Sequence, residues 1–463
     1  MRLAITGAAL FLIATASTGQ TPAQRRTPSD SEIRNILIDR IDKYRQSVGI
    51  VVGLIEPAGR RIVSYGQLNQ NDSRPLDGDT VFEIGSNTKV FTALLLSEMA
   101  QRGEVALTDA VAKYLPPGVQ VPERAGKQIT LLDLATHTSG LPRDPSNLDP
   151  KDLRNPFAGY TLTQLYDFIS SYRLTRDVGS HFEYSSLGFA LLGNALARHE
   201  GADYETLIAQ RITTPLSMGS TRVSLSDEMK QRLAVGHGYV TKEAVPPFET
   251  DSYTPAGGLR STANDLLHFL AANLTVEQSP LNGAIAAMRN VHRGPMLLGW
   301  GVVTLEGSEI VHHNGGTTGM NSFIGFDPKT RVGVVILSNT GSGGPIDDIG
   351  FHLLNPRVPL RTEMELEPPR ERKQIIVDPK VFDEYVGRYR ISKADVLTVT
   401  RDGDRLFVQR TGEMKDEMFP ESENDYFAKL FDDQISFRPQ TNGKTREVIY
   451  HENGKTLRAK RIE

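Results

Sequence analysis

The sequence predicts an α+β protein, in which an antiparallel sheet is flanked by helices and is followed by a small all-β domain. Strand-type patterns occur at both ends of the first part of the chain, at residues 50–65 and 309–337. Helix-type patterns fill the region between them, and beyond Pro379 the pattern is entirely of the strand type. Strands from both ends of such a region can pair in one antiparallel sheet against which the helices pack.

The first predicted elements are a helix and a hairpin. Residues 32–45 carry apolar side chains at helical spacing, including Ile33 and Leu37. Two apolar runs, 50–55 and 61–65, lie on either side of Pro57-Ala58-Gly59, which predicts two strands joined by a turn.

The middle of the chain alternates between the two kinds of pattern. The last predicted helix begins with Thr262 and Asp265 at the spacing of a capping box. The residues Asp327-Pro328-Lys329-Thr330 predict a turn between the last two strands. The predicted helices are 87–101, 162–171, 187–199 and 262–274, and the predicted strands are 309–313, 322–326 and 332–337.

The last part of the chain predicts a separate domain. Residues 356–378 are predicted to be a linker, because 356–369 are rich in proline and charged residues. Residues 30–355 then form the main domain. Residues 379–463 are predicted to form a small antiparallel β domain, a barrel or sandwich. Its hairpin turns are expected at Asp402-Gly403, Asn442-Gly443 and Asn453-Gly454.

The N-terminal residues predict export. Met1-Arg2 precedes an apolar run from Ala8 to Ala14, and Ala14-Thr15-Ala16 follows the pattern of a cleavage site, so we expect a signal peptide at 1–19. A buried N-terminal helix is the alternative interpretation. The sequence has 0 cysteines, which excludes a lipid-modified cysteine, and no later apolar run is long enough to span a bilayer. The expected location is the periplasm or the medium.

Charge and composition exclude several functional classes. Lysine and arginine total 52, aspartate and glutamate total 56, and the net charge of −4 argues against a nucleic-acid partner bound through overall positive charge. The absence of cysteine excludes thiolate nucleophiles, disulfides, iron–sulfur clusters and cysteine-ligated zinc. Nothing in the sequence requires a cofactor or a metal.

A first candidate site is Ser86-Asn87-Thr88-Lys89, just ahead of an apolar helical run. If Ser86 begins that helix, Lys89 lies one turn further on the same face, with its amine in reach of the serine oxygen. The helix N-terminus and burial would both lower the lysine pKa. A neutral lysine can activate a serine without a histidine. The alternative is that Ser86 is an ordinary N-cap residue.

A second candidate is Tyr184-Ser185-Ser186, at the start of the predicted helix 187–199. A tyrosine in this position can project its phenol into a cleft, where a nearby ammonium makes it fit for proton transfer. The alternative is a packed aromatic residue followed by a serine cap.

The third candidate segment is His312-His313-Asn314-Gly315-Gly316. Side chains alternate along a strand, so only one of the two histidines can face a given side. The glycines allow a ligand to approach the backbone N–H groups. Metal binding by the paired histidines is disfavoured, because neighbours on a strand diverge and no H-E-x-x-H motif occurs. The alternative is a glycine-rich strand end with a surface histidine.

The chain contains three motifs that, in this order, resemble those of penicillin-recognising serine hydrolases: Ser86-x-x-Lys89, Tyr184-x-Ser186 and His313-Asn314-Gly315. Among these, the chain is most similar to class C β-lactamases, D-alanyl-D-alanine carboxypeptidases and related esterases. Segments 132–142 and 255–262 also resemble that family, and the resemblance covers about residues 31–339. The C-terminal residues resemble, more weakly, a β domain that often follows such a domain.

The resemblance implies a β-lactamase/transpeptidase-like fold with a helical subdomain, and a site in the cleft between sheet and helices. It implies that Ser86 is the acylated nucleophile and that Lys89 and Tyr184 share the general acid and base work. It also implies that the backbone N–H groups of Ser86 and Gly316 form an oxyanion hole. His313 stands where lactamases carry a lysine.

The remaining motif residues, Ser186, Asn314 and Gly315, are expected on the substrate-binding side of this site. Two departures from the family pattern matter. Ser186 replaces the usual asparagine, which removes an amide that orients an acylamide side chain. His313 replaces lysine, which removes a fixed positive charge for a substrate carboxylate near pH 7. If His313 meets such a carboxylate, KM for anionic substrates is expected to worsen as pH rises through the histidine pKa.

The sequence therefore predicts an exported serine hydrolase of small-molecule or cell-wall peptide substrates. The candidates are D-alanyl peptides, other amides, lactams and small esters, and the oligomeric state is left open. A non-catalytic sensor or binder of cell-wall peptides is the alternative from another class. A hydrolase with a nucleophile elbow is disfavoured, since the chain contains no G-x-S-x-G.

Overall fold

The computed structural model describes residues 27–462 except 71, 73, 276, 342–345, 368–369, 371, 394, 412, 414, 439–444 and 453–454. The predicted signal peptide and the predicted turns at Asn442-Gly443 and Asn453-Gly454 lie outside the described residues. Across the described ranges, none of the helices has both the length and the hydropathy needed to cross a bilayer.

Several helices begin at a side-chain cap. Ser29 and Glu32 form a capping box at the start of α1, and the Thr262 side chain accepts a hydrogen bond from the N–H of Asp265 at the start of α9, as predicted. The α-helices of the described residues are α1 (Asp30–Ile38), α2 (Thr88–Gln101), α3 (Leu131–Ala135), α4 (Leu162–Ser171), α5 (Ser186–Glu200), α6 (Tyr204–Ile208), α7 (Asp227–Gln231), α8 (Thr254–Gly257), α9 (Ala263–Asn273), α10 (Asn282–Asn290), α11 (Asp347–Leu354) and α12 (Phe382–Tyr385).

The strands fall into a main sheet, a short pair and a barrel. Their bounds are β1 (Gly49–Glu56), β2 (Gly59–Gly66), β3 (Phe82–Glu83), β4 (Arg260–Ser261), β5 (Gly301–Leu305), β6 (Ser308–Gly316), β7 (Asn321–Asp327), β8 (Val332–Ser338), β9 (Gly387–Arg390), β10 (Val396–Asp402), β11 (Arg405–Arg410), β12 (Lys415–Pro420), β13 (Asp425–Phe427), β14 (Gln434–Arg438), β15 (Glu447–Glu452) and β16 (Lys455–Arg461).

The main sheet is antiparallel and joins the two ends of the first part of the chain, as predicted. Its strand order is β2-β1-β8-β7-β6-β5. Within it, Val52 of β1 pairs with Val63 of β2 on one side and with Ile336 of β8 on the other. Strand β1 is therefore an inner strand with a neighbour on each side, which explains why its sequence is an almost continuous apolar run.

Alternate residues of the central strands enter two different cores. Val51 and Val335 belong to the large core, which also holds side chains of α2, α5 and α9. Ile50 and Val334 belong to a second core with side chains of α1 and α11. Because side chains alternate along a strand, the sheet is covered by helices on both faces.

The helical subdomain is built around α5. Leu187, Leu191 and Leu192 of this helix are completely buried. Helix α5 packs against α3 on one side and α8 on another, and Gly201 ends it in a left-handed conformation, with φ of 68°. This packing fixes the N-terminus of α5, where Ser186 lies.

The C-terminal strands form a closed barrel in the order β10-β11-β12-β13-β14-β15-β16-β9, which agrees with the predicted small β domain. The predicted turn at Asp402-Gly403 joins β10 to β11, and Gly403 has φ of 60°. Inside the barrel, the rings of Tyr385 and Phe437 stack with centroids 3.9 Å apart. The predicted division of the chain at residues 355 and 378 stays a prediction.

The segment between sheet and barrel packs against the main domain. The Nζ of Lys43 donates to Glu363 at 2.5 Å, and the Nε2 of Gln46 donates to the carbonyl of Leu366 at 3.1 Å. The barrel also contacts this domain directly, because the backbone N–H of Tyr239 donates to the carbonyl of Leu430 at 3.2 Å. The barrel is therefore docked on the domain that carries the candidate motifs.

Candidate active site

Ser86 lies on a tight turn between β3 and α2. Residues Gly85–Asn87 form one turn of 3-10 helix, and Gly85 has φ of 48°, a conformation that favours glycine. The amide of Asn87 donates to the hydroxyl of Ser322 on β7 at 2.8 Å, and that hydroxyl donates to the carbonyl of Ile84 at 2.8 Å. The turn is thus fastened to the sheet. Ser86 is not the N-cap of α2, since Asn87 takes that position.

Lys89 is buried beside this serine. Lys89 is only 1% exposed, and its Nζ lies 3.0 Å from the Oγ of Ser86. The amine also donates to the carbonyl of Ala256 at 2.7 Å. Burial lowers the pKa of Lys89, with the phenol of Tyr184 acting in the opposite direction. The arrangement favours a neutral amine next to the serine hydroxyl.

Tyr184 lies at the entrance to α5, as expected, and Ser185 caps that helix by accepting a hydrogen bond from the N–H of Gly188. The Tyr184 ring lies over the Lys89 amine, with 5.0 Å from Nζ to the ring centroid. The guanidinium carbon of Arg143 lies 5.3 Å from the same centroid. Two basic side chains therefore surround this phenol.

His137 holds the segment that carries Tyr184. Its carbonyl accepts a hydrogen bond from the N–H of Glu183 at 2.8 Å, and its Nδ1 accepts one from the N–H of Ser185 at 3.0 Å. Burial and the Lys89 amine lower the pKa of His137, so its ring is neutral and can act as this acceptor. The residue has φ of 56°, which histidine tolerates better than most side chains.

His313 is the buried member of the histidine pair on β6. It is 6% exposed, its Nδ1 lies 2.6 Å from the carbonyl oxygen of Asn314, and its ring centroid is 6.4 Å from that of Tyr184. Burial, assisted by the Lys89 amine, lowers the pKa of His313 to about 3. His313 is therefore neutral at pH 7. The rise in KM for anionic substrates that is expected as His313 loses its proton would then occur near pH 3.

Gly315 and Gly316 meet the Ser86 turn at very close range. A Cβ on Gly315 would lie 2.0 Å from the carbonyl oxygen of Ile84 and 2.9 Å from the backbone N of Ser86. A Cβ on Gly85 would lie 2.7 Å from the backbone N of Gly316. The structure thus brings the N–H groups of Ser86 and Gly316 to one junction, which only glycine allows.

The expectation that Asn314 lies on the substrate side of the site is wrong for its side chain. That side chain is exposed, and its Nδ2 donates to the carboxylate of Asp347 on α11 at 2.7 Å. Neighbours on a strand face opposite sides of the sheet. Since His313 and Gly315 face the Ser86 turn, Asn314 must face the helix layer behind the sheet.

These elements border a cleft of about 210 Å³, lined by both domains. Of the residues predicted for the site, Ser86, Lys89, Ser186 and Gly316 line the cleft. Tyr184 and His313 are not among the lining residues, but the Tyr184 ring contacts two that are, Lys89 and Arg143. Sequence reasoning missed other lining residues, which are contributed by separate loops and by the barrel: Arg143, Asp144, Pro156, Phe157, Phe248, Thr250, Tyr253, Thr317, Thr318 and Phe431.

Asp144 places a second, largely buried titratable group in the cleft. Its side chain is 10% exposed, and its Oδ2 lies 3.6 Å from the Nε of Arg143. Burial raises the pKa of Asp144, while Arg143 and Lys89 act in the opposite direction. Within the described ranges, no group of three or more histidine, aspartate or glutamate side chains is placed to hold a metal ion.

Comparison with known protein families agrees with this geometry. A family model described as Beta-lactamase matches residues 37–354. The chain belongs to the β-lactamase family. This family of serine hydrolases was the one indicated by the three motifs, so the resemblance drawn from the sequence is confirmed. A second model, described as a domain of unknown function (DUF3471), matches residues 371–461, which include the barrel.

Individual relatives are similar to large parts of this chain. The D-alanyl-D-alanine-carboxypeptidase/endopeptidase AmpH of Escherichia coli is 33% identical over 245 residues, which are 51% of this chain and 62% of AmpH. The chain thus spans less than two thirds of the length of AmpH. A β-lactamase/D-alanine carboxypeptidase from Yersinia pestis, solved with citrate, is 25% identical and has a TM-score of 0.61 over 70% of this chain and 96% of its own.

One solved structure also covers the C-terminal part. The octameric penicillin-binding protein homologue from Pyrococcus abyssi aligns with 93% of this chain and 100% of its own, with a TM-score of 0.62 and 21% identity. This likeness concerns the fold, and it includes the predicted β-lactamase/transpeptidase-like architecture.

Proposed function

We propose that this protein is an exported hydrolase that forms an acyl-enzyme on Ser86. The observation that carries the proposal is the 3.0 Å distance between the Oγ of Ser86 and the Nζ of a completely buried lysine. Because burial lowers the pKa of Lys89, its amine keeps a lone pair that can accept the serine proton.

In the acylation step, the Oγ of Ser86 attacks the substrate carbonyl carbon while its proton passes to Lys89. The carbonyl electron pair moves to the oxygen, and the backbone N–H groups of Ser86 and Gly316 stabilise the resulting oxyanion. When the intermediate collapses, the bond to the leaving group breaks and that group takes a proton through the phenol of Tyr184. Water then attacks the carbonyl carbon of the ester on Ser86 and gives up a proton to Tyr184 and Lys89. The bond between that carbon and the Oγ breaks, the acid leaves, and the proton returns to the Oγ of Ser86.

Small esters and D-alanyl peptides are the substrates that we favour. Esters need the least activation by the site, because an alcohol is a better leaving group than an amine. Peptides are supported by the relative AmpH, whose name is that of a D-alanyl-D-alanine carboxypeptidase and endopeptidase. Efficient lactam turnover is disfavoured, since Ser186 replaces an amide and the neutral His313 offers no cation to a carboxylate.

The deciding experiment compares the mature protein with Ser86→Ala on a p-nitrophenyl ester and a chromogenic cephalosporin. We expect ester turnover that Ser86→Ala abolishes and Ser171→Ala, at the exposed end of α4, leaves intact. Intact mass spectrometry after rapid quenching is expected to detect the acyl adduct only when Ser86 is present. Full turnover by Ser86→Ala would contradict the proposal, and a stable adduct without turnover would favour a sensor of cell-wall peptides.

Export is tested separately. The N-terminal sequence of protein recovered from the periplasm or the medium is expected to begin close to residue 20, after loss of residues 1–19. An N-terminus at Met1 in a protein retained inside the cell would contradict this part of the proposal.

A further inference from the structure

Four aromatic side chains, which we call the wall, line the cleft and come from both domains. Phe157 stacks on Tyr253 with centroids 4.4 Å apart and meets Phe248 edge-on at 5.9 Å. Phe431 lines the same cleft from the connection between β13 and β14 of the barrel. Three rings of the wall thus belong to the main domain, and one ring belongs to the barrel.

Phe431 is held in place at the tip of a short loop. The N–H of Ala428 donates to the carbonyl of Asp433 at 2.8 Å, which closes the loop at its base. The neighbouring carbonyl of Leu430 accepts the hydrogen bond from Tyr239 of the main domain. A Cβ on Gly238 would meet the carbonyl oxygen of Lys429 at 3.5 Å, so the two backbones are in close contact.

Phe248, another ring of the wall, is also held in place. The buried carboxylate of Glu83 accepts a hydrogen bond from the N–H of Phe248 at 2.6 Å and another from the hydroxyl of Thr317 at 2.8 Å. Phe248 is therefore tied to the strand end that borders Ser86. A rigid wall of this kind can select a ligand by shape, because little ordering remains to be done on binding.

The position of the proton donor indicates which half of a substrate reaches this wall. A leaving group must meet Tyr184 to receive its proton, and the ring of Tyr184 contacts Lys89, Arg143, His137 and His313 rather than any ring of the wall. The aromatic part is therefore left for the acyl half. Phe431 is only partly buried and lines the cleft, so its ring can contact a ligand there.

We propose that Phe431, together with Phe157 and Phe248, forms an apolar acyl subsite shared by the two domains, which receives an aryl or branched alkyl group of the substrate. This inference rests on the proposed acyl-enzyme at Ser86. It gives the barrel a task in substrate selection, because one ring of the subsite is carried by a barrel loop.

The test compares kcat/KM for p-nitrophenyl phenylacetate and p-nitrophenyl acetate. We expect Phe431→Ala to lower the value for the phenylacetate by at least about tenfold and to leave the acetate within about twofold. Phe431→Leu is expected to fall between wild type and alanine. The matched control is Phe419→Ala, because Phe419 is also a partly buried barrel residue but packs under Lys429 outside the cleft.

Equal losses on both esters, or no loss on either, would overturn the inference even if Ser86-dependent turnover is intact. A second readout does not depend on turnover. Calorimetric binding of phenylacetamide to Ser86→Ala is expected to weaken, when Phe431→Leu is added, by about the factor that Phe431→Leu alone costs on the phenylacetate; this change is conservative enough to preserve the barrel. Unchanged binding would also overturn the inference, whereas lost ester turnover with this binding pattern intact would count only against the proposed acyl-enzyme.

Discussion

The imidazole of His137 packs against the ring of Tyr184, with 4.4 Å between their centroids and 31° between their planes. The same histidine hydrogen-bonds the backbone on both sides of Tyr184, at Glu183 and Ser185. The phenol is therefore positioned by a residue that reaches it through packing and backbone contacts.

We predict that His137→Phe lowers kcat about tenfold to a hundredfold with little change in KM. The variant keeps an aromatic ring but removes the acceptor for the N–H of Ser185, so Tyr184 shifts relative to the leaving group. Steady-state kinetics on an ester would measure the effect. His137→Asn, which tolerates the positive φ, controls for backbone strain. A rise in KM with an unchanged kcat would argue against a positioning role.

We predict that Lys89→Met abolishes turnover, with a loss of at least about a thousandfold, and does not destabilise the fold. The methionine fills a similar volume and removes the cost of burying an amine. In wild type, kcat/KM is expected to rise with pH along a limb that lies below the ordinary lysine pKa, because burial lowers the pKa of Lys89. A pH profile and a thermal melt test both points. Activity retained by Lys89→Met would remove the lysine from the mechanism.

We predict that Gly315→Ala lowers kcat/KM by about a hundredfold or more. The added methyl group would lie 2.0 Å from the carbonyl oxygen of Ile84, so the strand or the Ser86 turn must move. Gly219→Ala is the matched control, since a Cβ there meets nothing within 4 Å. The two variants are compared by ester kinetics and by circular dichroism. Equal activity of both would show that the close approach at Gly315 is unimportant.

We predict that the fold loses stability as the pH falls from about 6.5 towards 3. The pKa of His313 is lowered to about 3 by burial, so the unfolded chain takes up a proton that the folded chain refuses. This group alone costs up to about 1.4 kcal/mol for each pH unit in that interval. Urea unfolding between pH 7 and 4.5 measures the slope. His313→Gln is expected to reduce this slope, and an unchanged slope in that variant would contradict the prediction.

The sequence was sufficient for the elements whose signals are local. The predicted helix 162–171 coincides with α4, and the strand predicted at 332–337 is β8 with one residue more. The spacing of Ser86 and Lys89 also predicted their contact, because three residues make about one helical turn. These features depend on neighbours along the chain, which a sequence displays directly.

Features that depend on distant contacts could not be predicted in this way. His137 lies in a segment noted only for its family resemblance, and its role follows from a contact with residues 183–185. The wrong expectation for Asn314 had a local cause, since strand alternation assigns it to the face opposite His313. Phe431 had no signal at all, because a single phenylalanine in a barrel loop resembles any other partly buried aromatic residue.

The presence of Phe431 in the cleft has a consequence for the maturation of the chain. Ser86 and Lys89 belong to a domain that is synthesised before the barrel, whereas the ring of Phe431 is added more than 300 residues later in the chain. The segment between them offers exposed apolar side chains, with Met364 at 82% and Ile376 at 99% exposure. A single proteolytic cut there would leave Ser86 in place but break the covalent connection between the main domain and the barrel that carries Phe431. Cut and intact molecules would then catalyse the same reaction but differ in substrate selectivity.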